Sequence, residues 1–491
     1  MILRLLVAIL MIQMPWRIVM AQSDARTIKT YMTFSYPVDP ASVKTLVDLD
    51  LSYALSTTLV DWSDSRHITE GLADPVNSSN EKELVLQLKP NAKWSDGSLI
   101  TAAQVVRSIE HAKQLHDEAM KGLFEMVLAI DTREDRSIVF RLNRPVAQSQ
   151  ILHKLTEPVY GVIFIKDDGK MDLSKTSGPF SLQSSSAAEL VLKINPHWYA
   201  HQAEMPNSVV IRQPKATTAG DQDGFADDSW PNITSSSSLM AAKSLESFKE
   251  KKYSIWNRNL DRLFFLSPSK RLANAEGRKL LLALAKKLDR KELLSGLGGY
   301  SLTEQFFSPG YVIFDPEFNS NATAGEIPDR FKNHPIELLA AEGRVGSAFQ
   351  KNIRAAIKRV TGIEPKITLV PLNKFETSRV SGNFDLAVVT LAVNDPNAEG
   401  PVSFIFGLNP ALIPNGEGEN GDFKSRIVKA RALDEKSRNA EYRKVFTQAT
   451  REGCLLPLFH YSSIVIARDG IDLSKIPTTD ETVAFAKIRF K

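Results

Sequence analysis

Eight histidines, one cysteine and 57 acidic residues are the side chains from which this 491-residue chain would have to build a catalytic or metal centre. Their spacing builds neither. His111 and His116 lie five apart, off a common helical face, which is the wrong separation for two metal ligands on one helix. The pair Asp227-Asp228 sits in a stretch rich in Ser, Thr, Asp and Gly and reads as solvated. Cys454, the single cysteine, excludes an intramolecular disulfide framework and a cysteine-based metal cluster. Ahead of Leu455-Leu456-Pro457-Leu458 it reads as a small buried hydrophobe. No Gly-x-Ser-x-Gly elbow, phosphate-binding glycine loop or His-Glu-x-x-His helix is present. Gly296-Leu297-Gly298-Gly299 follows a predicted helix instead of a strand, so it reads as a helix-ending turn and not as a dinucleotide fingerprint. Nothing pairs a nucleophile with a base. The expectation is no enzyme, no cofactor and no metal.

Composition narrows the class further. Hydrophobic residues make up 43% and charged residues 24% of the chain, as in soluble globular proteins. A length of 491 exceeds the ~250–300 residues at which one core stops growing, so two or more lobes are expected. The net charge is only +4, and even the densest basic run, Lys249-Glu250-Lys251-Lys252, is interrupted by an acid. Nucleic-acid binding usually shows as a clustered basic face, and no such partner is expected. At the N-terminus, Arg4 precedes a largely apolar stretch from Leu5 to Trp16, and Val19-Met20-Ala21 fits a small-residue cleavage site. Residues 1–21 therefore read as a cleaved signal peptide. Its removal takes away Arg4 and Arg17 and no acid, leaving 4 − 2 = +2. With no cysteine near the cut, a lipoprotein anchor is not expected, and the mature protein is placed in the periplasm.

Periodicity supplies the elements. Residues 28–36 and Glu83 to Leu88 read as strands, the latter with Leu84, Leu86 and Leu88 on one face. Leu46, Leu49 and Tyr53 mark a helix. Another opens near Thr101, where Thr101 and Gln104 have capping-box spacing and Val105, Ile109 and Ala112 share a face. Ser137 to Leu142 and the alternating Leu190, Leu192 and Ile194 predict further strands, and 214–238 reads as loop. In the second half, helices are predicted over 277–294, 345–360 and 436–450. Ile367 and Leu369 mark a strand. Phe384 to Val393 is almost wholly apolar, as expected of a central strand covered on both faces. Strands alternating with helices give an α/β fold class.

One segment is more particular. Glu83 to Leu88 runs through Pro90 to Trp94-Ser95-Asp96-Gly97 and then to Thr101-Ala102 opening a helix. This resembles the most recognisable stretch of the peptide/nickel-type extracytoplasmic solute-binding family, which includes oligopeptide- and dipeptide-binding proteins of ABC transporters. Other pieces agree in order: Leu72-Ala73, Ser177-Gly178-Pro179-Phe180, Asn195-Pro196-His197-Trp198-Tyr199, Gly277-Arg278-Lys279 through Leu288-Asp289-Arg290, and Phe384-Asp385-Leu386-Ala387. The resemblance spans roughly residues 30–470. Physically, Trp94 is expected to pack under a tight turn that Gly97 permits, with Thr101 capping the helix; these are fold markers rather than ligand contacts.

The resemblance implies a two-lobed periplasmic binding protein fold with a hinge and an additional inserted domain. By analogy, 22–50, 158–262 and 471–491 form lobe I, 51–157 the additional domain, and 263–470 lobe II. It implies capture of a peptide or similar small solute by closure of the lobes, and delivery, as a monomer, to an ABC permease in the inner membrane driven by cytoplasmic ATPase subunits. In the family an acid in the loop after the Phe384–Val393 strand, usually preceded by tryptophan, anchors a peptide's ammonium. Here the loop reads Leu391-Ala392-Val393-Asn394-Asp395-Pro396-Asn397-Ala398-Glu399, without the tryptophan. Asp395 or Glu399 could be that acid, with Asn394 beside them; equally, Asp395-Pro396 could simply start a turn. Tyr31, Met32 and Thr33 are further candidates for lining the site. The missing tryptophan leaves room for a ligand other than a free peptide. Two other readings remain: a periplasmic receptor that signals occupancy to a membrane partner, and a hydrolase, which lacks a nucleophile.

Overall fold

Alternating burial in a strand decides which face it offers and to what, and in this chain it assigns the strands to distinct layers. The computed structural model describes residues 26–491 apart from 33, 44–45, 63–67, 77–79, 81, 116–121, 147, 214–231, 237–239, 258–261, 310, 312, 319–325, 343, 393–397, 408–421, 463 and 477–482. The expected signal peptide lies outside them. The chain divides into two compact units, residues 1–217 with 221–234 and 466–491, and residues 235–465 with 218–220. It passes between them within the strands Ile233–Ser236 and Ile464–Ala467. The sequence reading set these crossings at 262/263 and 470/471. Residues 235–262 fall in the second unit, where Met240–Ala241 pairs with Leu297–Gly298.

In the first unit, Ala73–Val76, Glu83–Leu88, Ser137–Leu142 and Val127–Glu134 form an antiparallel sheet in that order. Leu84, Leu86, Leu88, Ile138 and Phe140 share a core with Val105, Ile109 and Ala112 of the helix Ala102–Leu115. Val85 and Val139, directly opposite each other, are buried on the other face, so this strand pair is more enclosed than simple alternation predicts. The helix starts where expected. Gln104 Oε1 accepts from the Thr101 amide at 3.0 Å, and Thr101 Oγ1 accepts from the Gln104 amide. The same Oε1 accepts from Trp94 Nε1 at 3.0 Å, tying the fully buried indole to the cap. Gly97 closes the intervening turn with φ +86°. Asp96 accepts from Ser98 and pairs with Lys175 at 2.6 Å, and these contacts hold its carboxyl down to about 2.

A second sheet of the first unit runs Thr27–Tyr31, Ser208–Arg212, Glu189–Ile194, Phe180–Ser185, its first pair parallel. The expected first strand is shorter than 28–36: after Met32, whose amide reaches Arg212, the chain leaves the ladder for the turn around Asp39. The segments Ser177–Phe180 and Asn195–Trp198 interlock with the end of the helix Leu46–Leu55. The Thr57 amide donates to Ser177 Oγ, and Thr57 Oγ1 donates to the Ser177 carbonyl. Asn195, fully buried, donates to the Gly178 carbonyl at 2.8 Å, while its Oδ1 caps His197. Trp198 Nε1 donates to Thr57 Oγ1. A glycine is required at 178 because a Cβ there would stand 2.5 Å from the Leu55 carbonyl carbon.

The second unit holds a six-stranded mixed sheet in the order Tyr300–Leu302, Leu456–Tyr461, Arg262–Pro268, Leu386–Ala392, Glu337–Ala341, Lys366–Val370. Successive residues feed opposite cores. Leu263, Phe265, Leu339, Ala387 and Val389 pack with Val402, Ile427, Tyr442, Val445 and Phe446. Phe264, Leu266, Leu338, Leu386 and Val388 pack with Leu280, Leu284, Phe349, Ile353 and Ile357. Both faces are thus covered by helices, as the apolar Phe384–Val393 run predicts. Ser347–Thr361, ended by Gly362 at φ +83°, and Glu435–Arg451 match their expected spans within two residues. The helix expected over 277–294 is two helices, Ala275–Lys287 and Arg290–Leu293. Leu288 turns extended and the Asp289 carboxylate caps the amides of Lys291 and Glu292, which restarts the chain as a new helix. A strand, Ile233–Ser236, also interrupts the stretch expected to be loop. Cys454 is fully buried, and burial pushes its thiol up to about 12, so it is inert.

Two outcomes test this packing. Gly178→Ala should lower the urea midpoint by the equivalent of about 2 kcal/mol or more, because its methyl group would meet backbone and not a movable side chain; an unchanged midpoint would remove the close approach from the argument. His460 is 1% exposed, donates from Nε2 to the Phe306 carbonyl at 2.9 Å, and burial lowers it from 6.5 to about 4. The unfolded chain then binds the extra proton, so stability is full above pH 6.5 and falls as pH drops toward 4. Urea unfolding across this window should show that slope, and His460→Gln should flatten it by up to about 1.4 kcal/mol per pH unit.

Candidate functional site

A sheet buried on both faces leaves its ends as the places where polar groups can meet a ligand. The strand register of the second unit gathers one such end. Leu386–Ala392 and Glu337–Ala341 run parallel, with Leu338 opposite Leu386 and Ala340 opposite Val388, so both finish there. Arg262 lies opposite Ala392 on one side and opposite Tyr461 on the other, and Tyr461 lies opposite Tyr300. Arg344 follows Ala341 by one turn, its amide bonded to the Ala341 carbonyl. Register therefore brings Arg262, Tyr300 and Tyr461, with Arg344, to the carboxyl ends of the parallel strands, the position where open α/β sheets hold ligands; the Tyr461 ring packs on Phe264 and Phe459 and the Tyr300 ring on Phe459.

Electrostatics single out the same end. Arg262 is 6% exposed and Tyr461 1% exposed. Burial lowers the Arg344 guanidinium from its ordinary range; Tyr461 opposes that shift, and the positive charge of Arg262 adds to it. Two partly buried guanidiniums thus stand within each other's field at this sheet end.

The expected site residues fall as follows. Asn394 and Asp395 lie outside the described residues, in the segment that leaves this sheet end after Ala392. Glu399 is the first residue of the helix Glu399–Gly407. In the first unit, Tyr31 ends its strand half-buried opposite Arg212, Met32 is buried at 6%, and Thr33 lies outside the described residues. Sequence reasoning missed Arg262, Arg344, Tyr300 and Tyr461. One signal was available: Arg262 is a cation opening the otherwise apolar run Leu263-Phe264-Phe265-Leu266.

Asp385, beside the same strand, has a different task. At 1% exposure it accepts from Arg271 Nε at 3.0 Å, Arg330 Nη2 at 3.1 Å and the Glu337 amide at 2.9 Å. Its carboxylate is fully engaged in joining strands at the opposite end of Leu386–Ala392 and offers a ligand nothing. Arg271 also bonds Glu337, which holds that carboxyl below its ordinary value. Among the described residues no group of three or more His, Cys, Asp or Glu could hold a metal ion, and no helix is long and apolar enough to cross a membrane.

Comparison with known proteins places this geometry. Residues 67–411 match the bacterial extracellular solute-binding proteins, family 5, middle region. A stretch of 132 residues is 31% identical to the probable D,D-dipeptide-binding periplasmic protein DdpA of Escherichia coli (strain K12), covering 25% of this chain and 25% of that relative's length. NikA from Brucella suis in complex with Fe(III)-EDTA superposes with a TM-score of 0.77 at 15% identity, over 95% of this chain and 100% of that one. The dipeptide-binding protein from Pseudoalteromonas sp. SM9913 in complex with Met-Leu gives 0.75 at 13% identity, over 95% and 100%. Haemophilus influenzae OppA in complex with RPPGFSPFR gives 0.72 at 15% identity, over 95% and 99%. At such identities the likeness shows the fold, that of two-lobed solute-binding proteins. The family match covers well over half of the sequence, and on it the chain belongs to the bacterial extracellular solute-binding proteins of family 5.

Proposed function

We propose that this protein is the solute-capturing component of an ABC importer, working outside the inner membrane as a monomer, and that its solute carries a carboxylate, as a short peptide does. The observation that carries this reading is the pairing of Arg262 and Arg344 at the carboxyl end of the second unit's sheet. A peptide's terminal carboxylate suits those guanidiniums. Its ammonium would be taken by Asp395 or Glu399, from the segment that leaves the same sheet end. The Met-Leu bound by the Pseudoalteromonas protein and the D,D-dipeptide in the name of the Escherichia coli relative support a short peptide over other solutes.

Capture, in this reading, is closure of the two lobes over a solute that neither holds well alone, so that only contacts made in the closed state shift the population. The ligand leaves unchanged: nothing in the described site pairs a nucleophile with a base. Delivery to a membrane permease and its ATPase subunits follows from the reading as a transport protein.

Calorimetry with Met-Leu, its C-terminal amide and its N-acetyl form separates the parts. The free dipeptide should bind, and amidation or Arg344→Gln should each weaken binding at least about tenfold, roughly 1.4 kcal/mol, with little further loss when combined. Equal affinity for acid and amide would sink the carboxylate assignment. Asp395→Ala should cost about tenfold for the dipeptide and nothing for its N-acetyl form. An unaltered dipeptide affinity would remove Asp395 from the site. Small-angle scattering should show a smaller radius of gyration at saturation; superimposable profiles of bound and empty protein would end the closure mechanism.

A further inference from the structure

We propose that the helices Ala275–Lys287, Arg290–Leu293 and Ser347–Thr361 form a basic docking surface for an anionic phospholipid membrane; this rests on the reading above, which places the protein beside the inner membrane. The charge of the chain is unevenly divided. The second unit carries 33 basic and 25 acidic residues, 33 − 25 = +8, and the rest of the chain 28 and 32, 28 − 32 = −4. Residues 275–293 and 347–361 hold 10 of those cations and 3 of those acids. Thus 10 − 3 = +7 of the unit's +8 lies in these helices and the turn between the first two. No single basic run announces this, because the two segments are far apart in the chain.

The fold gathers them into one layer. Leu280, Leu281 and Leu284 of the first helix enter the same core as Phe349, Ile353 and Ile357 of the last. Asn352 Nδ2 donates to the Leu293 and Ser295 carbonyls at 3.1 and 2.9 Å, joining the last helix to the second. Burying one face of each helix turns the opposite face to solvent. Lys279 and Lys286 stand two turns apart on one such face, and Lys351 and Lys358 on the other; all four are exposed. The acids of the layer are occupied. Glu292 pairs with Arg359, the Asp289 carboxylate caps the Lys291 and Glu292 amides, and Glu276 lies in the first turn of its helix, facing the positive helix end. By contrast, Lys279, Lys286, Lys287, Lys291, Lys351 and Arg354 meet no carboxylate within ion-pair distance among the described residues.

Composition says which anionic partner suits this face. No large apolar side chain is exposed on the three helices. Protein interfaces are depleted of lysine and centre on aromatic or arginine anchors seated in pockets. A lipid surface needs no such anchor. Its phosphates are mobile and meet flexible lysines wherever they reach, and attraction grows with each cation close to the surface. With nothing apolar to insert, docking here is peripheral, reversible and weakened by salt.

The test is sedimentation of the full-length chain lacking residues 1–21 with vesicles of phosphatidylglycerol and phosphatidylethanolamine, or of phosphatidylcholine alone. Binding to the anionic vesicles is expected at about 20 mM salt and should weaken at least about tenfold at about 150 mM, with none to neutral vesicles. Lys279→Glu/Lys286→Glu/Lys351→Glu should weaken it at least about tenfold at low salt. The control, Lys424→Glu/Lys429→Glu/Lys436→Glu, changes net charge equally. It does so on Phe423–Ala430 and Glu435–Arg451, which pack in the other core of the sheet, and should cost less than about threefold. Both variants, shown folded by circular dichroism, should bind Met-Leu as the wild type does. Equal losses in the two variants would reduce the effect to net charge and overturn the docking surface. Undiminished binding by the first variant, or equal binding to neutral vesicles, would overturn it as well. A wild-type chain that binds Met-Leu but no anionic vesicle would end the docking proposal and leave the capture reading standing. Vesicle binding without binding of Met-Leu or any carboxylate-bearing peptide would count against the capture reading alone.

Discussion

A β-sheet covered by helices on both faces can afford polar side chains only where its strands end. That constraint organises the second unit. Leu263 to Leu266 alternate between two cores, as do Leu386 to Val389, and neither face has room for a desolvated charge without a partner. The charges accordingly stand at the two ends of the central strand. At one end Asp385 is saturated by Arg271, Arg330 and the Glu337 amide and serves as a joint between strands. At the other, Arg262 and Arg344 share each other's field beside Tyr461. The two settings differ: the Asp385 carboxylate is met by two cations, whereas the Arg344 guanidinium has a like charge in its field.

The first unit meets a different demand, that of joining segments far apart in sequence. Thr57, Ser177, Gly178 and Asn195 exchange hydrogen bonds through atoms with almost no solvent contact, and Trp198 adds its indole to the same threonine. Such a junction is costly to leave half-made, since each orphaned group would be buried without water. It tolerates little variation in residue type, because a Cβ at 178 would strike the Leu55 backbone. Motifs that carry the family resemblance are therefore ones that hold its segments together.

Much of the architecture was legible in the sequence because local rules decided it. The strands Glu83–Leu88 and Ser137–Leu142 have their expected limits, since alternation and the flanking turns act within a few residues. The Thr101–Gln104 box and the Val105, Ile109, Ala112 face fixed a helix by the same short-range logic. Local reading failed where two local rules competed. The apolar positions through Leu288 extend one helical pattern, but the Asp289 side chain offers the amides of Lys291 and Glu292 a better partner and starts a second helix. The strand Ile233–Ser236 has no apolar alternation to announce it, and its pairing comes from distant chain.

By itself, then, the sequence carried the family resemblance, in an ordered series of turns and caps from Leu72-Ala73 to Phe384-Asp385-Leu386-Ala387, and the expectation of no catalytic or metal centre. It also marked the segment from Asn394 to Glu399 by position in that series. The tertiary structure alone decided that Arg262, Arg344, Tyr300 and Tyr461 share one end of a sheet. Those residues are separated by up to 199 positions (461 − 262), and what joins them is strand register. Register is set by the burial of whole faces, a property of the assembled core that no local pattern in the chain expresses.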